Sequence, residues 1–148
     1  MLLSKTCEYG LRMAIYLASN DLSSFVPIRN LSDTLGIPYH FLAKIAQTMI
    51  RSQILQSTRG PRGGVRLSRP PSQVSLHEIV NVLDGPGIFE SCVLGLPECG
   101  IQQPCPLHNQ WMSTREEIHA LFAETSLEDL ALRIEADQLR ISIPARSL

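Results

Sequence analysis

A seven-residue run, Thr58-Arg59-Gly60-Pro61-Arg62-Gly63-Gly64, leaves the backbone around it few choices. Its glycines permit positive φ and its proline presets φ near −65°. It is flanked by Ile54-Leu55 on one side and by Val65 and Leu67, in period-two alternation, on the other. Two short apolar pieces around a glycine- and proline-rich tip read as a β-hairpin, and this one carries arginine at its turn.

The residues before it read as three helices. Tyr9, Met13 and Leu17 recur every fourth position and predict a first helix over Thr6 to Asn20. A second, over Arg29 to Leu35, turns Leu31 and Leu35 inward, and Gly36 stands where a C-terminal glycine cap belongs. Ile37 leads to Pro38, which suits the first turn of a third helix; Leu42, Ile45 and Met49 carry that helix at least to Ile50. Helix, glycine turn, helix is the helix-turn-helix pattern, and a basic hairpin directly after it is a wing. Pro70-Pro71 ends the wing.

Ser75-Leu76-His77-Glu78 has the form of a capping box and opens a helix bearing Leu76, Ile79, Val82 and Leu83, which Asp84-Gly85-Pro86-Gly87 stops. From Ile88 to Pro106 the chain reads as loop, with three cysteines and prolines at 97, 104 and 106. A long helix over Leu107 to Ala123 places Leu107, Trp111, Ile118 and Phe122 on one face. Thr125 and Glu128 suggest a second capping box, beyond which Leu127, Leu130, Ile134 and Ile141 continue an apolar stripe; Pro144 to Leu148 reads as a frayed tail. The expected fold class is mainly α with a small β-hairpin wing. The expected organisation is a winged helix-turn-helix DNA-binding domain over residues 1–85, a cysteine-bearing loop over 86–106, and a long dimerisation helix with a C-terminal helix over 107–143. The winged unit has its own small core, so the late apolar stripe points to a homodimer; the alternative is that it folds back on its own domain.

Charge agrees with a nucleic-acid partner. From Thr34 to His77 no acidic residue occurs, and Lys44, Arg51, Arg59, Arg62, Arg66 and Arg69 give that window +6. From Glu78 onward eleven acids face four bases, or −7, so the overall −1 conceals a dipolar molecule. A clustered cationic face gains affinity for phosphates by counterion release, although a solvated basic face with no ligand has the same composition. No apolar run nears the ~20 residues that cross a bilayer, and the N-terminus shows no secretion signal, so the expectation is a cytoplasmic protein with no membrane role. Cysteines in that compartment point to metal or redox chemistry rather than to disulfides.

Three of the four cysteines lie within 14 residues, in the spacing Cys92-x6-Cys99-x5-Cys105-x2-His108. Thiolates bind soft and borderline metals, iron–sulfur clusters above all. A structural zinc site of three Cys and one His is chemically reasonable, but such sites usually show tighter Cys-x2-4-Cys pairs, so the wide spacing suits a multi-atom cluster better. Cys7, on the first helix, reads as a small buried apolar residue. His40, His77 and His119 read as ordinary helix histidines. No nucleotide-binding glycine motif, catalytic triad pattern or paired carboxylates accompany the cysteines, so the chain does not read as an enzyme.

Taken in order, Ser4-Lys5-Thr6-Cys7-Glu8-Tyr9-Gly10-Leu11-Arg12, Leu35-Gly36-Ile37, Arg59-Gly60-Pro61-Arg62-Gly63-Gly64-Val65-Arg66-Leu67, Ser75-Leu76-His77-Glu78-Ile79, Asp84-Gly85 and the three cysteines resemble the Rrf-two family of bacterial winged-helix regulators, the IscR- and NsrR-like proteins. The resemblance implies a homodimer that binds double-stranded operator DNA and regulates transcription. It also implies an iron–sulfur cluster, often two-iron two-sulfur, held by Cys92, Cys99 and Cys105, through which redox, nitric oxide or iron–sulfur status is sensed. The fourth ligand varies within the family; the matching positions here are His108, or Glu8 supplied by the partner subunit. The first cysteine gap is one residue longer than in IscR-like members. The third helix would bring Tyr39, His40, Phe41, Lys44 and Gln47 to the major groove. Arg59 and Arg62 of the wing would lie along the minor groove, and Arg66 and Arg69 against phosphates. The alternatives are a cluster-free thiol- or zinc-dependent repressor and, in another class, a small iron–sulfur electron carrier.

Overall fold

A computed structural model describes residues 2–137 and 140–142. The fold is mainly helical with one two-stranded antiparallel sheet. Helix α1, Lys5–Ala18, starts where the Ser4 hydroxyl accepts from the Cys7 amide at 3.0 Å. It ends two residues earlier than its apolar period suggests, because the Ser19 hydroxyl and the Asn20 amide fold back onto the carbonyls of Ile15 and Tyr16. Helix α2, Ile28–Leu35, closes on Gly36 at φ 66°, the left-handed conformation expected of a glycine cap. Helix α3, Tyr39–Arg51, follows after three residues, with Pro38 as its cap rather than inside its first turn.

Strands β1, Leu55–Thr58, and β2, Gly64–Leu67, pair with Leu55 opposite Leu67 and Thr58 opposite Gly64. Val26 adds a third edge: its N–H donates to the Val65 carbonyl at 2.8 Å and its carbonyl accepts from the Val65 N–H at 2.9 Å. That contact explains Gly64. A methyl group there would sit 2.3 Å from the backbone of Val26, so the wing docks only because position 64 has no side chain.

The central core joins Met13 and Leu17 of α1, Leu31 and Leu35 of α2, Leu42, Ile45 and Met49 of α3, Val65 and Leu67 of the wing, and Ile79 of α4, Leu76–Asp84. A helical turn, α5, Gly87–Glu90, breaks the stretch read as loop; it forms because Phe89 packs with Cys7 and Val80 in a second apolar cluster. Helix α6, His108–Glu124, presses Ile118 and Phe122 onto that cluster within the same chain. Its expected stripe is thus partly covered from inside, while Leu107 and Leu121 stay exposed.

Helix α7, Leu127–Asp137, folds back on its own domain: Leu127 is fully buried in the central core, and its N–H donates to the Val74 carbonyl at 2.9 Å. The capping box there is one residue off the expected register. Ser126 and Asp129 exchange backbone-to-side-chain hydrogen bonds at 2.8 and 3.1 Å, while the Thr125 hydroxyl turns back to the Leu121 carbonyl. At α4 only half of the expected box forms: the Ser75 hydroxyl accepts from the Glu78 amide, but the Glu78 carboxylate pairs with Arg69 instead. The tail beginning at Pro144 lies outside the described residues.

Candidate functional site

Two sites emerge, one at each end of the charge asymmetry. On α3 the inward residues Leu42, Ile45, Ala46 and Met49 are buried, which leaves His40, Lys44, Gln47 and Arg51 as an outer stripe at i, i+4, i+7 and i+11. At its N-terminus Tyr39 is 38% exposed and Phe41 60%. Arg59 and Arg62 stand exposed at the wing tip, where Gly60 takes φ 104° to close the turn. Arg66 and Arg69 are different. Arg66 lies 4.2 Å over the Phe25 ring and donates to the Ser23 carbonyl at 2.7 Å; Arg69 pairs with Glu78 and donates to the Gln73 carbonyl at 3.2 Å. The fold already engages both.

The cysteine loop gathers all four of its expected donors. Cys92, Cys99, Cys105 and His108 line one small cavity of about 20 Å³, together with Leu96, Pro97 and Gln103. All three loop thiols are free. They meet the histidine in pairs: Cys92 Sγ lies 3.8 Å from Cys105 Sγ, and Cys99 Sγ lies 3.7 Å from His108 Nδ1. Among the described residues no three His, Cys, Asp or Glu side chains converge as a single metal ion would require. Glu8 does not line the cavity; its carboxylate pairs with Lys5 at 2.7 Å on the first turn of α1.

The loop backbone favours a thiolate at Cys92. The amides of Leu96 and Leu94 point at its sulfur and, with the Cys105 thiol, hold its pKa below the usual range. That wrap depends on a turn in which the Gly95 N–H donates to the Cys92 carbonyl at 3.0 Å with Gly95 at φ 73°. Cys7 is the opposite case. Fully buried, its thiol is pushed up to about 12, chiefly by desolvation and then by the Asp84 carboxylate.

Two residues hold the loop that the sequence reading passed over. Trp111 Nε1 donates to the Ser91 carbonyl at 2.8 Å, and Arg115 Nη1 donates to the Glu90 carbonyl at 2.7 Å. Both stand on α6 and fix the chain immediately before Cys92. Trp111 was legible only as a member of an apolar stripe, and nothing in the spacing of Arg115 marked it.

The chain matches a family model described as "Rrf2: Iron-dependent Transcriptional regulator" over residues 3–133. It is 29% identical to a protein of Aquifex aeolicus (strain VF5) named as an HTH-type transcriptional regulator, over 94% of this chain and 96% of that one. It is 31% identical to protein aau3 of Rhizobium meliloti (strain 1021), over 82% of this chain and 77% of that one. Among solved structures it superposes on CymR, the global cysteine regulator of B. subtilis, with a TM-score of 0.77 at 25% identity, covering 88% of this chain and 95% of that one. T. potens IscR shares the fold, with a TM-score of 0.74 at 18% identity and coverage of 93% and 91%. A winged, cationic helix-turn-helix joined to a cysteine loop, matched over almost its whole length, makes this chain a member of the Rrf2 family of transcriptional regulators.

Proposed function

We propose that the protein is a homodimeric regulator that binds operator DNA through α3 and the wing, and that its loop holds a two-iron two-sulfur cluster whose state controls that binding. The pairing of donors carries this reading. Two ligands bound to one tetrahedral metal at about 2.0–2.3 Å stand roughly 3.3–3.8 Å apart. Cys92 with Cys105, and Cys99 with His108, already have that spacing. A single zinc ion would need three or four donors around one point, whereas a two-metal cluster needs two at each metal. Backbone amides directed at the Cys92 sulfur are also the kind of outer contact that tunes a cluster's potential. When bound, the cluster would supply one-electron redox chemistry and sensitivity to oxidants and nitric oxide.

On the DNA side, Tyr39, His40, Phe41, Lys44 and Gln47 would face the major groove, with Arg59 and Arg62 in or along the minor groove. The loop is tied to α6 through Trp111 and Arg115, and α6 to α4 through an aromatic cluster of His77, Phe89, His119 and Phe122. A change in the loop therefore has a packed route toward α4 and the winged unit. The exposed Leu107 and Leu121 support a second copy against the outer face of α6. Loss of the cluster would shift operator affinity only through unequal affinity for two arrangements of that assembly.

The same Sγ–Sγ distance favours one further reading, a thiol switch without a cluster. Hydrogen peroxide would take two electrons from Cys92 and Cys105, whose sulfurs join as a disulfide while their protons leave in the two waters formed. Operator binding by an anaerobically purified sample, measured before and after removal of its iron with a chelator, separates the two. The cluster reading expects a change of at least about tenfold on iron removal. An iron-free sample whose binding responds only to peroxide, reversibly with dithiothreitol, would support the switch instead.

A further inference from the structure

The arginines of this chain divide according to whether the fold engages their donors. Arg12 donates to the Leu35 and Ile141 carbonyls, Arg66 to Ser23, Arg69 to Glu78 and Arg115 to Glu90, so these four tie elements together. Arg29 does not join them. The two ion pairs among the described residues are Lys5–Glu8 and Arg69–Glu78. Arg29 is exposed at the second position of α2, and its guanidinium carbon lies 4.8 Å from the centroid of the Tyr39 ring.

That contact has two consequences. A guanidinium held over a ring by cation–π attraction keeps its five N–H donors free of that contact. An arginine already held in place also loses less rotamer freedom when it meets an anion. Tyr39 is the first residue of α3, beside the exposed Phe41 and in edge contact with His40. In a helix-turn-helix the helix before the reading helix crosses the nucleic-acid backbone, which puts a cation near its N-terminus in reach of phosphate. The charge profile hides this residue because it lies five positions before the acid-free window, with Asp33 between.

We propose that Arg29 is a phosphate-contacting residue that also positions Tyr39, extending the cationic reading face from α3 and the wing onto α2. It rests on the DNA-binding reading above and adds a contact to it.

The test begins with a duplex selected from a random pool by the wild-type protein, with dissociation constants then measured across a potassium chloride series. Arg29→Ala should bind that duplex roughly tenfold more weakly, and the slope of log affinity against log salt should shrink by about one. Arg29→Lys keeps the charge but loses the guanidinium's hold on the Tyr39 ring and its forked donors, so its slope should match wild type while its affinity falls between the two. Because Arg29 is exposed, thermal melting should show all three proteins equally folded. A wild-type protein that enriches no duplex overturns the DNA reading and this proposal with it. A wild-type protein that binds, beside an Arg29→Ala variant of equal affinity and slope, overturns the role of Arg29 alone. Weaker binding with an unchanged slope would reduce Arg29 to a structural support for Tyr39 and remove the phosphate contact.

Discussion

The indole nitrogen of Trp111 donates to the carbonyl oxygen of Ser91 at 2.8 Å, so the helix that follows the cysteine loop also fixes the residue that precedes it. A loop of this length with little regular structure of its own needs such a tie to keep four donors in one place. Trp111→Phe keeps an aromatic ring and removes the donor; Arg115→Gln removes the companion bond to Glu90. Each should cost about 0.5–1.5 kcal/mol of loop order. Both variants should fold with near-wild-type melting temperature, yet, on the cluster reading, release iron to a chelator several-fold faster. Equal release rates would mean that the loop is held by other contacts.

On the cluster reading, the fourth ligand can be assigned by a pair of substitutions. His108 is buried and lies against Cys99, whereas Glu8 is paired with Lys5. In anaerobically reconstituted protein, His108→Ala should change the visible and paramagnetic spectra and speed cluster loss by at least about tenfold, as loss of a metal contact does. Glu8→Gln should leave the spectra unchanged and cost little stability, as loss of an exposed helix-surface ion pair does. The reverse outcome would assign the ligand to the partner subunit's Glu8.

Gly64 and Gly60 lie in the same hairpin but resist substitution for different reasons. At Gly64 a methyl group meets the Val26 backbone at 2.3 Å, and backbone cannot step aside. Gly64→Ala should therefore destabilise the protein by about 1–3 kcal/mol or more and undock the wing from Val26. At Gly60 there is open space and a φ of 104°, so Gly60→Ala pays only the left-handed penalty of roughly 1–2 kcal/mol. Urea denaturation should rank them in that order, with operator binding suffering more at Gly64.

Much of this fold could be read from the chain because local rules and tertiary demands agree there. Gly36 caps α2, Leu42, Ile45 and Met49 are the buried face of α3, and the hairpin closes where Gly60 and Pro61 allow it. The misreadings fall where a tertiary partner decides. Phe89 makes a helical turn of α5 because Cys7 and Val80 cover it, and Glu78 leaves its capping box for Arg69. Thr125 and Glu128 fit the capping pattern as well as Ser126 and Asp129 do; the strand-like contact of Ser126 with Ser75 sets the register. For the candidate site, spacing marked four candidate donors, which the fold brings to one cavity. It had no means of showing that they pair two by two, since that depends on how the loop folds back across α6.

The buried Cys7 separates from the loop thiols by pH and by reagent. Its folded pKa is raised to about 12 against about 8.5 in an unfolded chain. A raised pKa means that the folded state holds the proton more tightly, so this contribution to stability is whole below pH ~8.5 and is lost as pH climbs toward 12, by up to ~1.4 kcal/mol per pH unit. Cluster-free protein treated with iodoacetamide at pH 8 should be alkylated at Cys99 and Cys105 and more slowly at the buried Cys92, with Cys7 labelled only after unfolding. Rapid labelling of Cys7 in the native state would place it on a far more open face of α1.

The most direct measurement is native mass spectrometry of anaerobically isolated protein, with iron and acid-labile sulfide assayed on the same sample. Two irons and two sulfides per chain, lost together when Cys92 or Cys105 is changed to Ser, are what the paired donors predict. One zinc per chain, or iron whose amount is indifferent to those two substitutions, would contradict it.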